Sequence, residues 1–375
     1  MTHRCKSALA APILIFLLTA RAAWAQPAGP PVPAEKPAGS DAEAAAATGA
    51  QLRRLADADE FSGVVLLARD GQPFFHQAYG LANRDLGVPN RPDTKFNIGS
   101  ISKMFTQVAI GQLLQQGKLA LDDTIREHLP DYPGPAADRI TIQQLLTNTS
   151  GLGDTFGQRY DATPKDRLRE LSDYLPLFAG DPLLFEPGTS RKYSNAGYVV
   201  LGLIVEKLSG QGYHDYLRQH IFAPAGMTSS DAYPQDAIVP NRAVGYTREG
   251  PTGSVPGPRR ANLYALPARA SSAGGGYSTA GDLLAFDRAI LGEKLLSPEL
   301  TDWFLTDKAR PPAPTGSVRP GGRGSGGGGF AGGTAGVNAV LETDLDTGYT
   351  IVVLCNEDPP AAQKVAKILR QRLGL

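Results

Sequence analysis

The chain has 375 residues, 42% of them hydrophobic, and its 37 basic and 37 acidic side chains give a formal net charge of zero. That length is ample for one large domain or two closely packed ones. The interspersed charges give no indication of a nucleic-acid partner. The five histidines show no metal-ligand spacing, so we expect neither a metal nor another cofactor.

Residues 1–25 predict a secretory signal peptide. Arg4 and Lys6 precede an apolar core at residues 8–18, and residues 23–25 form a small-x-small cleavage site. The apolar core is too short to span a bilayer comfortably. We therefore expect cleavage after Ala25, and a periplasmic or secreted protein without a stable membrane anchor.

Three elements are predicted to follow the signal peptide. Residues 26–40, rich in Pro, Ala and Gly, predict a disordered linker. The alanine-rich segment Ala42 to Ala58 predicts a helix. The β-prone segments Ser62 to Arg69 and Gln72 to Tyr79 flank Asp70-Gly71 and predict a hairpin.

After the hairpin comes Ser100-Ile101-Ser102-Lys103, followed by the apolar run Met104 to Leu114, which predicts a helix beginning at Ser100. Residues three apart lie on one face of a helix, so the lysine amine can reach the serine hydroxyl and take its proton. In the alternative, Ser100 is an ordinary helix N-cap and Lys103 lies on the solvated face. The spacing alone does not decide between the two.

Residues 117–233 predict a mostly helical subdomain, inserted between residues 41–116 and 234–375 of an α/β lobe. Within it lies Tyr193-x-Asn195. A phenol beside cations can have its pKa lowered enough to share proton transfer, and an Asn amide can orient a substrate carbonyl or a lysine. The alternative for Tyr193 is a core aromatic residue with a satisfied hydroxyl.

A second hairpin is predicted near the end of the chain, formed by Val337 to Thr343 and Tyr349 to Cys355. Hairpins in two distant parts of the chain imply one antiparallel sheet. The helical spacing of Ala361 to Leu373 predicts a helix that covers it. We expect Cys355 to be a buried, inert thiol.

The paired Ser-x-x-Lys and Tyr-x-Asn motifs resemble those of the serine β-lactamase and penicillin-binding protein superfamily, in particular its class C-like branch, which includes carboxylesterases and D-amino-acid peptidases. The resemblance runs from about Phe61 to Asn356. It implies an α+β fold, an antiparallel sheet flanked by helices with an inserted helical subdomain. It also implies catalytic roles for Ser100, Lys103 and Tyr193 in a cleft between the lobes.

The third motif of this superfamily is normally Lys or His, a small residue and Gly, whereas this chain has Phe330-x-Gly332. The resemblance implies substrate contacts for Phe330, Gly332 and Asn195. It assigns the oxyanion hole to the amides of Ser100 and Gly333. Loss of the cation adds an apolar wall and favours a neutral substrate. In the alternative, the glycine-rich run is a flexible loop that matches by accident.

The sequence thus predicts an exported serine hydrolase that forms an acyl-enzyme on Ser100, with esters favoured over amides. A Ser-His-Asp hydrolase is disfavoured because no serine lies in a Gly-x-Ser-x-Gly elbow. The remaining alternatives are a β-lactamase, a D-amino-acid peptidase, and a penicillin-binding-like sensor that is acylated without turnover. The partner is a small-molecule ester, amide or peptide, and no oligomeric state is indicated.

Asn148, where the superfamily often has His, is expected only to stabilise a loop.

Overall fold

The computed structural model describes residues 38–249, 257–305 and 327–375. The predicted signal peptide and most of the predicted linker lie outside these residues. The end of the linker segment is held in place, because the amide of Ala38 donates to the carbonyl of Arg372 at 2.9 Å and the hydroxyl of Ser40 accepts from the amide of Glu43 at 3.2 Å. Residues 38–40 thus belong to the folded domain and not to the linker.

The described residues form short and long helices around strands. The α-helices are α1 (Asp41–Asp57), α2 (Ser102–Gln115), α3 (Ile125–His128), α4 (Ile142–Leu146), α5 (Gln158–Ala162), α6 (Asn195–Ser209), α7 (Tyr213–Leu217), α8 (Ala223–Ala225), α9 (Ala280–Leu291), α10 (Pro298–Leu305) and α11 (Ala361–Leu373). Turns of 3₁₀-helix lie at Gly99–Ile101, Lys165–Arg167, Leu171–Leu177 and Leu263–Ala265, and a π-helical turn lies at Arg218–Phe222. The strands are β1 (Gly63–Arg69), β2 (Gln72–Tyr79), β3 (Leu81–Asn83), β4 (Val88–Pro89), β5 (Phe96–Asn97), β6 (Tyr246–Thr247), β7 (Arg260–Ala261), β8 (Tyr277–Ser278), β9 (Gly327–Thr334), β10 (Val337–Asp344) and β11 (Tyr349–Cys355).

The central sheet is antiparallel, with strand order β2-β1-β11-β10-β9. Both predicted hairpins are present. Strand β1 of the first pairs with β11 of the second, from Gly63 opposite Cys355 to Arg69 opposite Tyr349. Two distant segments of the chain thus build one sheet, and the predicted α+β class is confirmed. Strand β9 completes the sheet as an edge strand beside β10.

Helices cover both faces of the sheet, because its inner strands are apolar on both faces. Side chains alternate along a strand. Val64 and Leu66 therefore point into a large core shared with the helical region, whereas Val65 and Leu67 point into a smaller core that includes residues of α1 and α11. Cys355 lies in the smaller core, where burial raises the pKa of its thiol to about 12.

The regular elements between residues 117 and 233 are helices, from α3 to α8. Their apolar side chains join the large core and do not form one of their own. Helix α2 is buried over most of its length because α6, α7 and α10 pack around it. This packing fixes the N-terminal end of α2 between the sheet and the helical region. Among the described residues, no helix has the length and apolar character needed to cross a membrane.

Candidate active site

Ser100 lies on the 3₁₀ turn Gly99–Ile101, which leads directly into α2. The predicted helix therefore begins two residues later, at Ser102, and Ser100 is not its N-cap. The Oγ of Ser100 instead accepts a hydrogen bond from the Tyr193 hydroxyl at 2.7 Å, and Nζ of Lys103 lies 3.2 Å away. Lys103 is only 3% exposed. The structure thus brings together the three side chains singled out from the sequence, and the alternatives of a capping serine and a solvated lysine do not describe them.

The amine of Lys103 is held by two carbonyl oxygens. Oδ1 of Asn195 accepts from Nζ at 2.7 Å, and the backbone carbonyl of Ala273 accepts from it as well. A carbonyl oxygen can only accept a hydrogen bond. In a neutral amine both hydrogens are therefore directed to these oxygens, and the lone pair faces Ser100. This orientation suits a base that takes the serine proton.

The protonation of Lys103 also suits a base. Burial lowers the pKa of Lys103 to about 7, and the carboxylate of Asp154 acts in the opposite direction. Near neutral pH a large fraction of the amine is then uncharged, whereas an exposed lysine would be almost fully protonated. The lone pair that faces Ser100 is therefore available at neutral pH.

Tyr193 lies on the loop before α6 and is 50% exposed, so it is not a core aromatic residue. Asn148 holds this loop, because its Oδ1 accepts from the amide of Ser194 at 3.1 Å and its carbonyl accepts from the amide of Lys192 at 3.0 Å. Asn148 therefore has the loop-stabilising position expected of it.

The expectation of a lowered phenol pKa is wrong. Burial raises the pKa of Tyr193, only partly opposed by its hydrogen bond to Ser100, and the charge of Asp154 raises it further. The phenol is therefore protonated at neutral pH and donates to Ser100. Tyr193 is placed to supply a proton, whereas Lys103 is placed to accept one.

Asn195 is engaged by the protein at both ends of its carboxamide. Its Oδ1 accepts a hydrogen bond from Nζ of Lys103 at 2.7 Å, and its Nδ2 donates one to Oδ1 of Asp154 at 2.8 Å. This arrangement favours orientation of the lysine over the substrate contact expected for Asn195. Asp154 was not identified from the sequence, because one aspartate in a glycine-rich loop carries no spacing signal.

Strand β9 packs closely against the turn that carries Ser100. A Cβ built on Gly332 would lie 2.1 Å from the carbonyl oxygen of Ile98 and 2.7 Å from the amide nitrogen of Ser100, and one built on Gly99 would lie 2.8 Å from the amide nitrogen of Gly333. The two amides expected to form the oxyanion hole thus lie at one junction. Gly332 is buried there, so it permits the close approach and is not exposed to a substrate. In the described part of the glycine-rich run, a strand replaces the flexible loop of the alternative interpretation.

A cleft of about 800 Å³ opens at Ser100 and Lys103. Phe330 forms part of its wall and packs against the large core. The cleft is thus apolar where the third motif normally carries a cation. In the described part of the chain, no group of His, Cys, Asp and Glu side chains is placed to hold a metal ion. The charged side chains of Asp122 and Arg191 also line the cleft. Neutral hydrogen-bonding side chains line the wall near α4: Thr141, Gln143, Gln144, Thr147, Asn148 and Thr149.

The sheet, the inserted helices and the Ser-Lys-Tyr geometry define a protein of the serine β-lactamase and penicillin-binding protein superfamily. The family model described as Beta-lactamase matches residues 20–375. The chain therefore belongs to this family.

The chain is 32% identical over 247 residues to the putative penicillin-binding protein PbpX of Bacillus subtilis (strain 168), a match that covers 66% of this chain and 59% of that protein. The match to penicillin-binding protein 4* of the same organism is 34% identical over 181 residues and covers 48% of this chain and 40% of that protein. The chain thus spans about half the length of these curated relatives. The crystal structure of a penicillin-binding protein from Bacillus halodurans is 32% identical, with a TM-score of 0.72, and the match covers 84% of this chain and 97% of that one.

Proposed function

We propose that this protein is an exported serine hydrolase that forms an acyl-enzyme on Ser100 and hydrolyses neutral esters in preference to amides. The observation that carries the proposal is the convergence of the Tyr193 hydroxyl and the Lys103 amine on Oγ of Ser100. Membership of the Beta-lactamase family supports a serine hydrolase in general. Export is supported by the charged, apolar and small-residue pattern of residues 1–25.

The first step is acylation. The neutral amine of Lys103 accepts the proton of the Ser100 hydroxyl while Oγ forms a bond to the substrate carbonyl carbon. The carbonyl oxygen becomes an oxyanion, which the amides of Ser100 and Gly333 stabilise. Each such donor is typically worth about 3 kcal/mol of transition-state stabilisation.

The second step expels the leaving group. As the tetrahedral intermediate collapses, the bond to the leaving oxygen breaks, Tyr193 donates its proton to that oxygen and the ammonium of Lys103 returns a proton to Tyr193. The amine is then neutral again. In the same position it accepts a proton from the water that attacks the acyl-enzyme. As this second intermediate collapses, the bond to Oγ breaks, the ammonium of Lys103 returns that proton to Oγ of Ser100, and the acid is freed.

The proposed preference for neutral substrates rests on Phe330, which stands where the third motif normally carries a cation, while Arg191 lines another part of the cleft. An apolar ring cannot pair with a substrate carboxylate, whereas the Lys or His usual at this position can. Specialised β-lactamase or carboxypeptidase activity is therefore disfavoured. EstCE1, a hydrolase with promiscuous acyltransferase activity, shares this fold at 23% identity and a TM-score of 0.70, covering 89% of this chain and 99% of that one.

A substrate comparison tests the proposal. The wild type and Ser100→Ala are assayed with p-nitrophenyl acetate, a chromogenic cephalosporin and a D-alanyl dipeptide. The expected result is Ser100-dependent release of many equivalents of p-nitrophenol per enzyme, with slower turnover of the other two. Faster hydrolysis of the cephalosporin or the dipeptide would assign a β-lactamase or a D-peptidase instead. A single equivalent of p-nitrophenol without turnover would assign a sensor that is acylated only once.

A further inference from the structure

Gln107 lies one turn beyond Lys103 on the same face of α2 and forms part of the cleft wall. It is 4% exposed. A carboxamide carries two kinds of hydrogen-bonding atom, and burial makes an unpaired one costly. The hydrogen-bond partners of Gln107 therefore determine which of its polar atoms is left for a ligand in the cleft.

Only the nitrogen end of this carboxamide has a partner among the described residues. Nε2 of Gln107 donates to the hydroxyl of Tyr198 at 2.6 Å, and that hydroxyl donates to the carbonyl of Leu146 at 3.2 Å. With the single hydroxyl hydrogen of Tyr198 directed to the Leu146 carbonyl, the carboxamide nitrogen is the donor to Tyr198. In this arrangement Oε1 is buried without a hydrogen-bond donor in the described part of the chain.

The position of Gln107 indicates which part of the substrate, the acyl part or the leaving group, can reach its side chain. Tyr193 is half exposed and, in the proposed mechanism, protonates the leaving group, so the leaving group lies on its open side. Gln107 is buried one turn of α2 beyond Lys103, and its carboxamide contacts Tyr198, whose ring centroid is 5.3 Å from Nζ of Lys103. If the leaving group departs through the exposed side, the part of the substrate that stays on Ser100 is the one that can reach the buried Gln107.

We propose that Oε1 of Gln107 is an acceptor for a hydrogen-bond donor on the acyl part of the substrate, so that the preferred substrates are esters of N-acylamino acids or hydroxy acids rather than of simple fatty acids. This inference rests on the proposed function, since it concerns the same acyl-enzyme.

The test compares esters that share one leaving group. The donor-bearing substrates are p-nitrophenyl N-acetylglycinate and p-nitrophenyl 3-hydroxybutanoate, and the references without a donor are p-nitrophenyl pentanoate and p-nitrophenyl 3-methylbutanoate. The quantity measured is the ratio of kcat/KM within each pair, in the wild type and in Gln107→Met. Division of the wild-type ratio by the variant ratio cancels the intrinsic reactivity of the esters. In at least one pair, the ratio of kcat/KM for the donor-bearing ester to that for its reference is expected to be about tenfold lower in Gln107→Met than in the wild type. This is the size of one lost neutral hydrogen bond.

The two pairs distinguish an amide donor from a hydroxyl donor. Gln116→Met, at the exposed end of α2, is the matched control and keeps the wild-type ratios. Gln107→Ala removes the same acceptor without adding bulk, should Gln107→Met fail to fold. Unchanged ratios in the folded Gln107 variant would overturn the inference, while turnover of pentanoate by the wild type would leave the proposed hydrolase standing. Absence of turnover of every ester by the wild type would overturn the proposed function, and this inference with it.

Discussion

The pKa of Lys103 sets the pH dependence expected of the enzyme. Below a pKa of about 7 the amine is an ammonium and cannot accept the serine proton, so kcat/KM rises with pH through this value and then levels off. Asp154→Asn removes a charge that raises the pKa of Lys103, and the midpoint therefore moves to lower pH. A pH–rate profile with a p-nitrophenyl ester measures both, and a rate that does not change around neutral pH would contradict the assignment of Lys103 as the base.

Tyr193 has a separate role, as the donor of a proton to the leaving group. An alkoxide needs that proton more than p-nitrophenolate does, so Tyr193→Phe is expected to slow hydrolysis of benzyl acetate by ~10²-fold and that of p-nitrophenyl acetate by much less. The comparison is made on kcat/KM with both substrates, because this constant reports acylation, the step that expels the leaving group. The circular dichroism spectrum confirms that the variant is folded. An equal loss for the two esters would mean that Tyr193 does not act as the acid.

Ser100, Lys103 and Tyr193 were recognisable because the Ser-x-x-Lys and Tyr-x-Asn motifs together resemble those of the superfamily, whereas the Ser-x-x-Lys spacing alone did not decide their roles. It did not reveal the carbonyl of Ala273, because every residue has a backbone carbonyl and only the folded chain brings this one to the lysine. The direction of the Tyr193 pKa was also missed, since it depends on burial and on Asp154. A motif predicts which groups react, whereas the tertiary structure determines their protonation.

At the scale of elements, the contact between β9 and the turn of Ser100 leaves no room for a side chain on Gly332. Gly332→Ala would place a Cβ 2.1 Å from the carbonyl of Ile98, which must push the strand and the amide of Gly333 away from Ser100. We expect kcat to fall by ~10²-fold or more, the effect of losing one oxyanion donor. Gly328→Ala, in the same strand, meets nothing nearer than 3.9 Å and serves as the control. Similar rates for the two variants would show that this contact does not position the oxyanion hole.

The elements were predicted to different degrees. Strands β2 and β11 and helix α11 have the predicted bounds, because turn residues or helical spacing mark them clearly. No local pattern predicts strand β9, since a run of glycines has low strand propensity. It forms a strand because it pairs with β10, from Gly327 opposite Asp344 to Thr334 opposite Val337. That pairing is tertiary information, and no local pattern in the run contains it.

At the scale of the whole molecule, an ion-pair cluster connects three distant segments of the chain. Oε1 of Glu357, beyond β11, lies 2.8 Å from Arg84 and 3.0 Å from Arg259, and the Glu357 side chain is only 10% exposed. Asp59 pairs with the same two guanidinium groups, and burial raises the pKa of Glu357. Glu357→Gln therefore removes only part of their compensation, and we expect the free energy of unfolding to fall by roughly 1 kcal/mol. Urea unfolding of the variant measures this.

The matched control is Glu186→Gln, which removes the partner of Arg139 in a pair whose side chains are both more than half exposed. Its effect is expected to stay within about 0.5 kcal/mol. If the two variants lose the same small amount, the cluster around Glu357 does not hold the three segments together.

Mass spectrometry of the protein, quenched during turnover of a slowly deacylated p-nitrophenyl ester, tests whether an acyl-enzyme forms on Ser100. The wild type is expected to gain the mass of one acyl group, and peptide mapping to locate that group on Ser100, with a burst of one equivalent of p-nitrophenol. Ser100→Ala is expected to show neither the adduct nor the burst. An adduct on another residue, or undiminished hydrolysis by Ser100→Ala, would contradict the proposed mechanism.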